Sequence, residues 1–263
     1  MSEVFVAVLN MSISASWLIL AVFILCFLLK KAPRKFTVML WGIAAVRLVL
    51  PFTFQSVLSL IPSGKTIISD VPRPYFDSGI SAIDNGVNSY LKSRYFEGVT
   101  RPAGYFSDIT TVLSLIWLVG ISALLIYTAV SYIKVKRKVS TAVLLRDNIF
   151  QSENVVSPFV LGIIKPKIYL PFNISENDAE NVIAHENAHI SRKDYLWKPL
   201  GFFIMTFHWF NPFVWLAYIL FCRDIEFACD EKVVGSFTSE KKADYSRSLL
   251  AFSTKKNTVS ACP

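Results

Sequence analysis

A chain of 263 residues that is 53% apolar and 14% aromatic, with only 17% charged residues, is too rich in apolar side chains for an ordinary soluble domain and points to lipid. Two clusters, KKAPRK at 30–35 and KVKRK at 134–138, largely account for the formal charge of +8, so the basic balance calls for no nucleic-acid partner. Cys26, Cys222, Cys229 and Cys262 are scattered without a paired spacing, and no disulfides are expected.

The first apolar run, 4–29, has no basic leader and exceeds the core of a signal peptide, so it is expected to remain as a spanning helix. Runs 36–62 and 110–133 are also long enough to cross about 30 Å of hydrocarbon at about 1.5 Å per residue. Basic clusters stay on the cytoplasmic side, which puts the N-terminus outside and everything after Lys134 inside. Between the second and third runs, 63–107 is polar, broken by turn residues, and reads as an external loop. Arg47, near the middle of the second run, is expected to find a partner within the bundle, and Pro51 to kink that helix.

From 139 to 172 the texture changes to short β-type runs (VSTAVLL, NIFQS, VVSPFVLG, PKIYLPF), the expected strands of a small sheet. Ser175 then has the character of a helix N-cap, with acids in the turn that follows, and the helix carries AHENAHISRKDY at 184–195. Residues four apart share a helix face, so His185 and His189 can bind one ion through their imidazoles. Glu186, about 100° around the axis, lies beside such an ion, where a base for an attacking water is needed. The SRKD that follows reads as a polar helix end with no catalytic role.

Three residues downstream are candidates for a third ligand. His208 lies in an apolar stretch that favours a structural role, and a single cysteine such as Cys229 is more often packing. Glu226 is the best candidate, with Asp230 one turn later placed to orient a ligand histidine from behind. If 199–221 crossed the membrane straight, Glu226 would end about 30 Å from His185. Pro199, Asn211 and Pro212 are therefore expected to break this run into a helix pair that dips into the membrane or packs against the other spans, returning Glu226 to the inner face.

VRLVLP, SPFVLGIIKPKIYLP, HENAHISRKD, HWFNP and EFACDE, in that order, resemble the membrane zinc peptidases of the BlaR/MecR type, the beta-lactam sensor-transducers and their relatives. The resemblance implies Zn2+ held by His185, His189 and Glu226, with Glu186 as catalytic acid and base and Asp230 in the ligand helix. It also implies a strand region, 157–171, beside the active site where a substrate backbone adds. No penicillin-binding sensor domain is found, and the S-x-x-K match of Ser89 to Lys92 reads as chance, so antibiotic sensing is not carried over.

The expected architecture is a mainly α-helical multi-pass membrane protein (1–138) with a small α+β, zincin-like (gluzincin) metallopeptidase domain at the cytoplasmic face (139–263). The expected function is a zinc endopeptidase that cleaves itself or a cytoplasmic regulator, a transcriptional repressor, in transmembrane signalling. Its partners are the bilayer and that protein substrate. The alternatives are a housekeeping peptidase of the prenyl-protein or heat-shock zinc type, and an inactive receptor fragment or scaffold with structural zinc. A site-two-type protease fits less well, because the helix carrying the motif is too polar to lie in lipid.

Overall fold

The computed structural model describes residues 2–29, 32–50, 84–90, 105–235 and 237–253. Its elements are α1 (Ser2–Leu28), α2 (Arg34–Val49), α3 (84–90), α4 (Tyr105–Lys138), β1 (Val143–Arg146), β2 (Ile149–Ser152), β3 (Phe159–Leu161), β4 (Lys167–Pro171), α5 (Glu176–Arg192), α6 (Asp194–Phe207), α7 (Pro212–Val234) and α8 (Ser239–Ser253). The described residues are mostly helical, with one small sheet among them.

Among the described residues two helices are long and apolar enough to cross a membrane, Glu3–Leu28 and Ile109–Lys138. In α1 the buried residues Phe5, Val8, Ser12, Ala15, Ile19 and Val22 recur at alternating steps of three and four, a seam that faces other helices. Val4, Trp17, Ile24 and Phe27 are apolar and exposed on the remaining surface, as expected of a lipid-facing side. α2 ends at Val49, and Leu50 is extended because the residue before a proline avoids the helical region. Arg47 thus lies in the last turn of α2 and not at mid-helix, where a cation complements the helix dipole. The rest of the second expected span, with Pro51, and most of the expected external loop lie outside the described residues.

The expected helix pair is present, as α6 and α7, but it breaks only at 208–211. Pro199 is accommodated inside α6 and does not end it, at the expense of one backbone hydrogen bond in the helix's first half. Asn211 makes the break: its side chain accepts from the Phe213 N–H to cap α7, and its amide donates to the Ser12 and Ser16 hydroxyls, 2.8 Å each. Buried polar groups must be paired in this way, and here the pairing ties the turn to α1. His208 reaches the Leu48 carbonyl (3.2 Å) and Trp117 donates to the Phe207 carbonyl (2.8 Å), which brings in α2 and α4. A Cβ on Gly120 would lie 2.3–2.5 Å from the Trp209 indole, so only glycine allows α4 this close. Met205, Val214, Ala217 and Tyr218 of the pair share one core with Ala15, Ile19, Trp41 and Leu48.

The sheet has the order β1-β2-β4-β3, with β2 and β4 parallel and the outer pairings antiparallel. Ile149, Ile168 and Leu170 pack one face onto Val182 and Ile183, which seats the sheet against α5.

Candidate metal centre

α5 begins where sequence chemistry places it. The Ser175 hydroxyl accepts from the Asp178 N–H and so caps one of the first unpaired donors of the helix. Asp178 also accepts from Ser248 (2.6 Å), and Asn181 donates to the same hydroxyl (3.1 Å), which locks α8 onto α5. Hydrogen bonds from both serines hold the Asp178 carboxyl below its ordinary range.

One turn apart on α5, His185 and His189 turn their Nε2 atoms toward each other, 3.1 Å apart, with the rings nearly perpendicular at 84°. α7 returns beside α5 and brings Glu226 Oε2 to 3.6 Å from His185 Nε2 and 3.3 Å from His189 Nε2. Donors at about 2.0–2.1 Å from one tetrahedral ion lie about 3.3 Å apart, so these three atoms already have the spacing of a shared ion. Both histidines are buried, whereas the Glu226 side chain is 43% exposed, so the centre opens on that side.

The outward ring nitrogens are held as well. His189 Nδ1 is 2.8 Å from Asp194 Oδ2. His185 Nδ1 lies 2.8 Å from the Tyr245 hydroxyl and 3.1 Å from Asp230 Oδ1, and Tyr245 donates to that same oxygen. Carboxylates at Nδ1 favour a proton there and leave the Nε2 lone pairs facing inward. Asp230 thus lies behind His185, on the side of the ring away from Glu226.

Asp194, in the SRKD segment to which the sequence gives no catalytic role, makes a contact that the sequence does not reveal. Lys193 adopts the left-handed conformation (φ 60°) and closes α5 by donating to the His189 and Ile190 carbonyls. The chain reverses there, and Asp194, 3% exposed, returns to His189 with Arg192 Nε 3.2 Å from its carboxylate. Replacing Asp194 by Ala is expected to weaken metal binding roughly 10–100-fold, the usual cost of losing an orienting partner, as measured by titration against a chelating dye. Unchanged affinity would remove Asp194 from the centre.

Burial alone lowers the pKa of both histidines, yet acceptors outweigh it. Asp230, Cys229 and Glu226 hold His185 well above its ordinary value, and Asp194, Cys229 and Glu226 push His189 up to about 11. Burial opposes ionisation of Glu226, but the two histidines and Lys198 keep its carboxyl far below the usual range. The acceptors around the two imidazoles therefore favour positive charge in this pocket. Glu186, 9% exposed on the same helix, has its carboxyl pushed up by burial, partly offset by the neighbouring histidines.

Cys229 offers a second donor set, since it and the two histidines have ligand atoms within 4.8 Å of one another. Glu226 fits better. Cys229 Sγ lies 3.9 Å from His185 Nδ1 and donates to the His185 carbonyl (3.4 Å), whereas Glu226 Oε2 is 3.3–3.6 Å from both Nε2 atoms. His208 is excluded by position, at the far end of α6 from Asp194 and bonded to α2.

The family described as BlaR1 peptidase M56 matches residues 6–262. The methicillin resistance mecR1 protein of Staphylococcus aureus strain Mu50 is 27% identical over 110 residues, 40% of this chain and 19% of that protein. The regulatory protein BlaR1 of Bacillus licheniformis is 26% identical over 169 residues, 56% of this chain and 28% of the relative. The match thus spans less than a third of the length of either relative.

Proposed function

The chain belongs to the BlaR1 peptidase M56 family, and from that premise we propose that it is a membrane-embedded zinc endopeptidase, hydrolysing peptide bonds in itself or in a cytoplasmic regulator, a transcriptional repressor, as a step in transmembrane signalling. The observation that carries the reading is the convergence of His185 Nε2, His189 Nε2 and Glu226 Oε2 within 3.1–3.6 Å, with Glu186 buried beside them. In this reading the three side chains hold Zn2+, in a zincin-like arrangement of one helix with a glutamate from another. Zinc supplies Lewis acidity, which polarises the scissile carbonyl and lowers the pKa of water toward about 7.

The residues of the chain do the rest. Glu186 takes the proton of the attacking water and passes it to the leaving amine, and burial raises its carboxyl above the ordinary range, which strengthens it as a base. Asp194, Asp230 and Tyr245 keep the imidazoles oriented. β3 forms an edge of the sheet and packs against α5, so an extended substrate can add to it as a further strand. The basic last turn of α4 (Lys136, Arg137, Lys138) and the cluster before α2 favour a multi-pass topology with this centre at the cytoplasmic face and the N-terminus outside.

Reconstituted into lipid vesicles with a candidate repressor, the protein is expected to yield fragments of that repressor or of itself, resolved by mass spectrometry. Chelation should abolish them and added Zn2+ should restore them. Cleavage continuing at full rate in chelator would contradict a metallopeptidase.

A further inference from the structure

α6 carries two polar contacts into the centre from one helix face. Asp194 reaches His189, and Lys198, four residues on, places its ammonium on Glu226 Oε1. The Glu226 carboxylate is therefore divided, with Oε2 facing both histidines and Oε1 held by Lys198. The lysine side chain is 22% exposed and that of Glu226 43%, so this charge-assisted bond is partly shielded, which favours a fixed geometry over a fluctuating surface pair. Carboxylates bind ions through one oxygen or two, and nothing in Glu226 itself selects between these modes.

We propose that Lys198 is a positioning residue that commits Glu226 to bind the ion through Oε2 alone, keeping a coordination position open for water and substrate. The inference rests on Glu226 as the third ligand. Without the ammonium, Oε1 is free to join the ion beside Oε2, the two imidazoles and a water, so a four-coordinate site would become five-coordinate and the position needed by a substrate carbonyl would already be filled.

Co2+ is the probe, because its visible absorption is intense in four-coordinate sites and weak in five-coordinate ones. Full-length wild-type protein loaded with Co2+ is expected to show the intense spectrum. Lys198→Met should bind one equivalent of Co2+ and show the weaker one, and Lys198→Arg, which retains donors for Oε1, should return the wild-type spectrum. Identical spectra in wild type and Lys198→Met would overturn the proposal, leaving the ammonium as mere charge balance. A thiolate-to-cobalt charge-transfer band in wild type would instead overturn Glu226 as ligand in favour of Cys229, so the two failures are distinguishable. If Lys198→Met does not fold, the arginine variant decides: a five-coordinate spectrum despite its positive charge also counts against the inference.

Discussion

Glu186→Gln is expected to leave the metal in place and reduce cleavage by roughly 100- to 10,000-fold, the contribution of a positioned general acid and base. Glutamine keeps the shape and hydrogen-bonding reach of the side chain but cannot accept and return a proton. His185, His189 and Glu226 are themselves unchanged and retain the atoms that converge. The burial that raises the Glu186 pKa also means that the neutral amide adds no desolvation cost, so folding should be preserved or improved. Rates of fragment formation, with metal content measured on the same sample, check this. A variant that retains zinc and cleaves like wild type would leave the centre a structural one, the scaffold reading.

The second large effect belongs to Glu226. In the proposed site, Glu226→Ala takes one of three protein donors from the ion and leaves the Lys198 ammonium facing two imidazoles, so the pocket would lose both a ligand and the charge that favours a cation. The loss of affinity should exceed the roughly 10–100-fold expected for an orienting partner such as Asp194. After dialysis against a moderate chelator, the variant is expected to hold no zinc while wild type and Cys229→Ala retain it. The reverse pattern, with zinc kept by Glu226→Ala and lost by Cys229→Ala, would move the third ligand to the thiol.

Local chemistry was legible in the sequence. Ser175 caps α5 because a hydroxyl there meets an orphan N–H, and the four-residue spacing of the histidines fixes their shared face whatever surrounds them. The return of α7 to α5 was legible too, since an apolar run interrupted at Asn211 and Pro212 has few other ways to bring Glu226 back.

What stayed hidden depends on the third dimension. Asp194 reaches His189 only because Lys193 takes a positive φ, a conformation a lysine does not advertise. Tyr245 comes from 60 residues beyond His185 on a helix docked by Asn181 and Ser248, and Lys198 reaches Glu226 across 28 residues through the α6–α7 turn. Pro199 signalled a break that tertiary packing overrides, because the core shared with α1 and α2 holds α6 together around it.

X-ray absorption at the zinc edge of the purified wild-type protein tests the central claim most directly. Two imidazole nitrogens and carboxylate and water oxygens, all at about 2.0–2.2 Å, with no sulfur, are the expected result. A sulfur scatterer at about 2.3 Å, or protein isolated with no bound transition metal after zinc loading, would contradict a centre built from His185, His189 and Glu226.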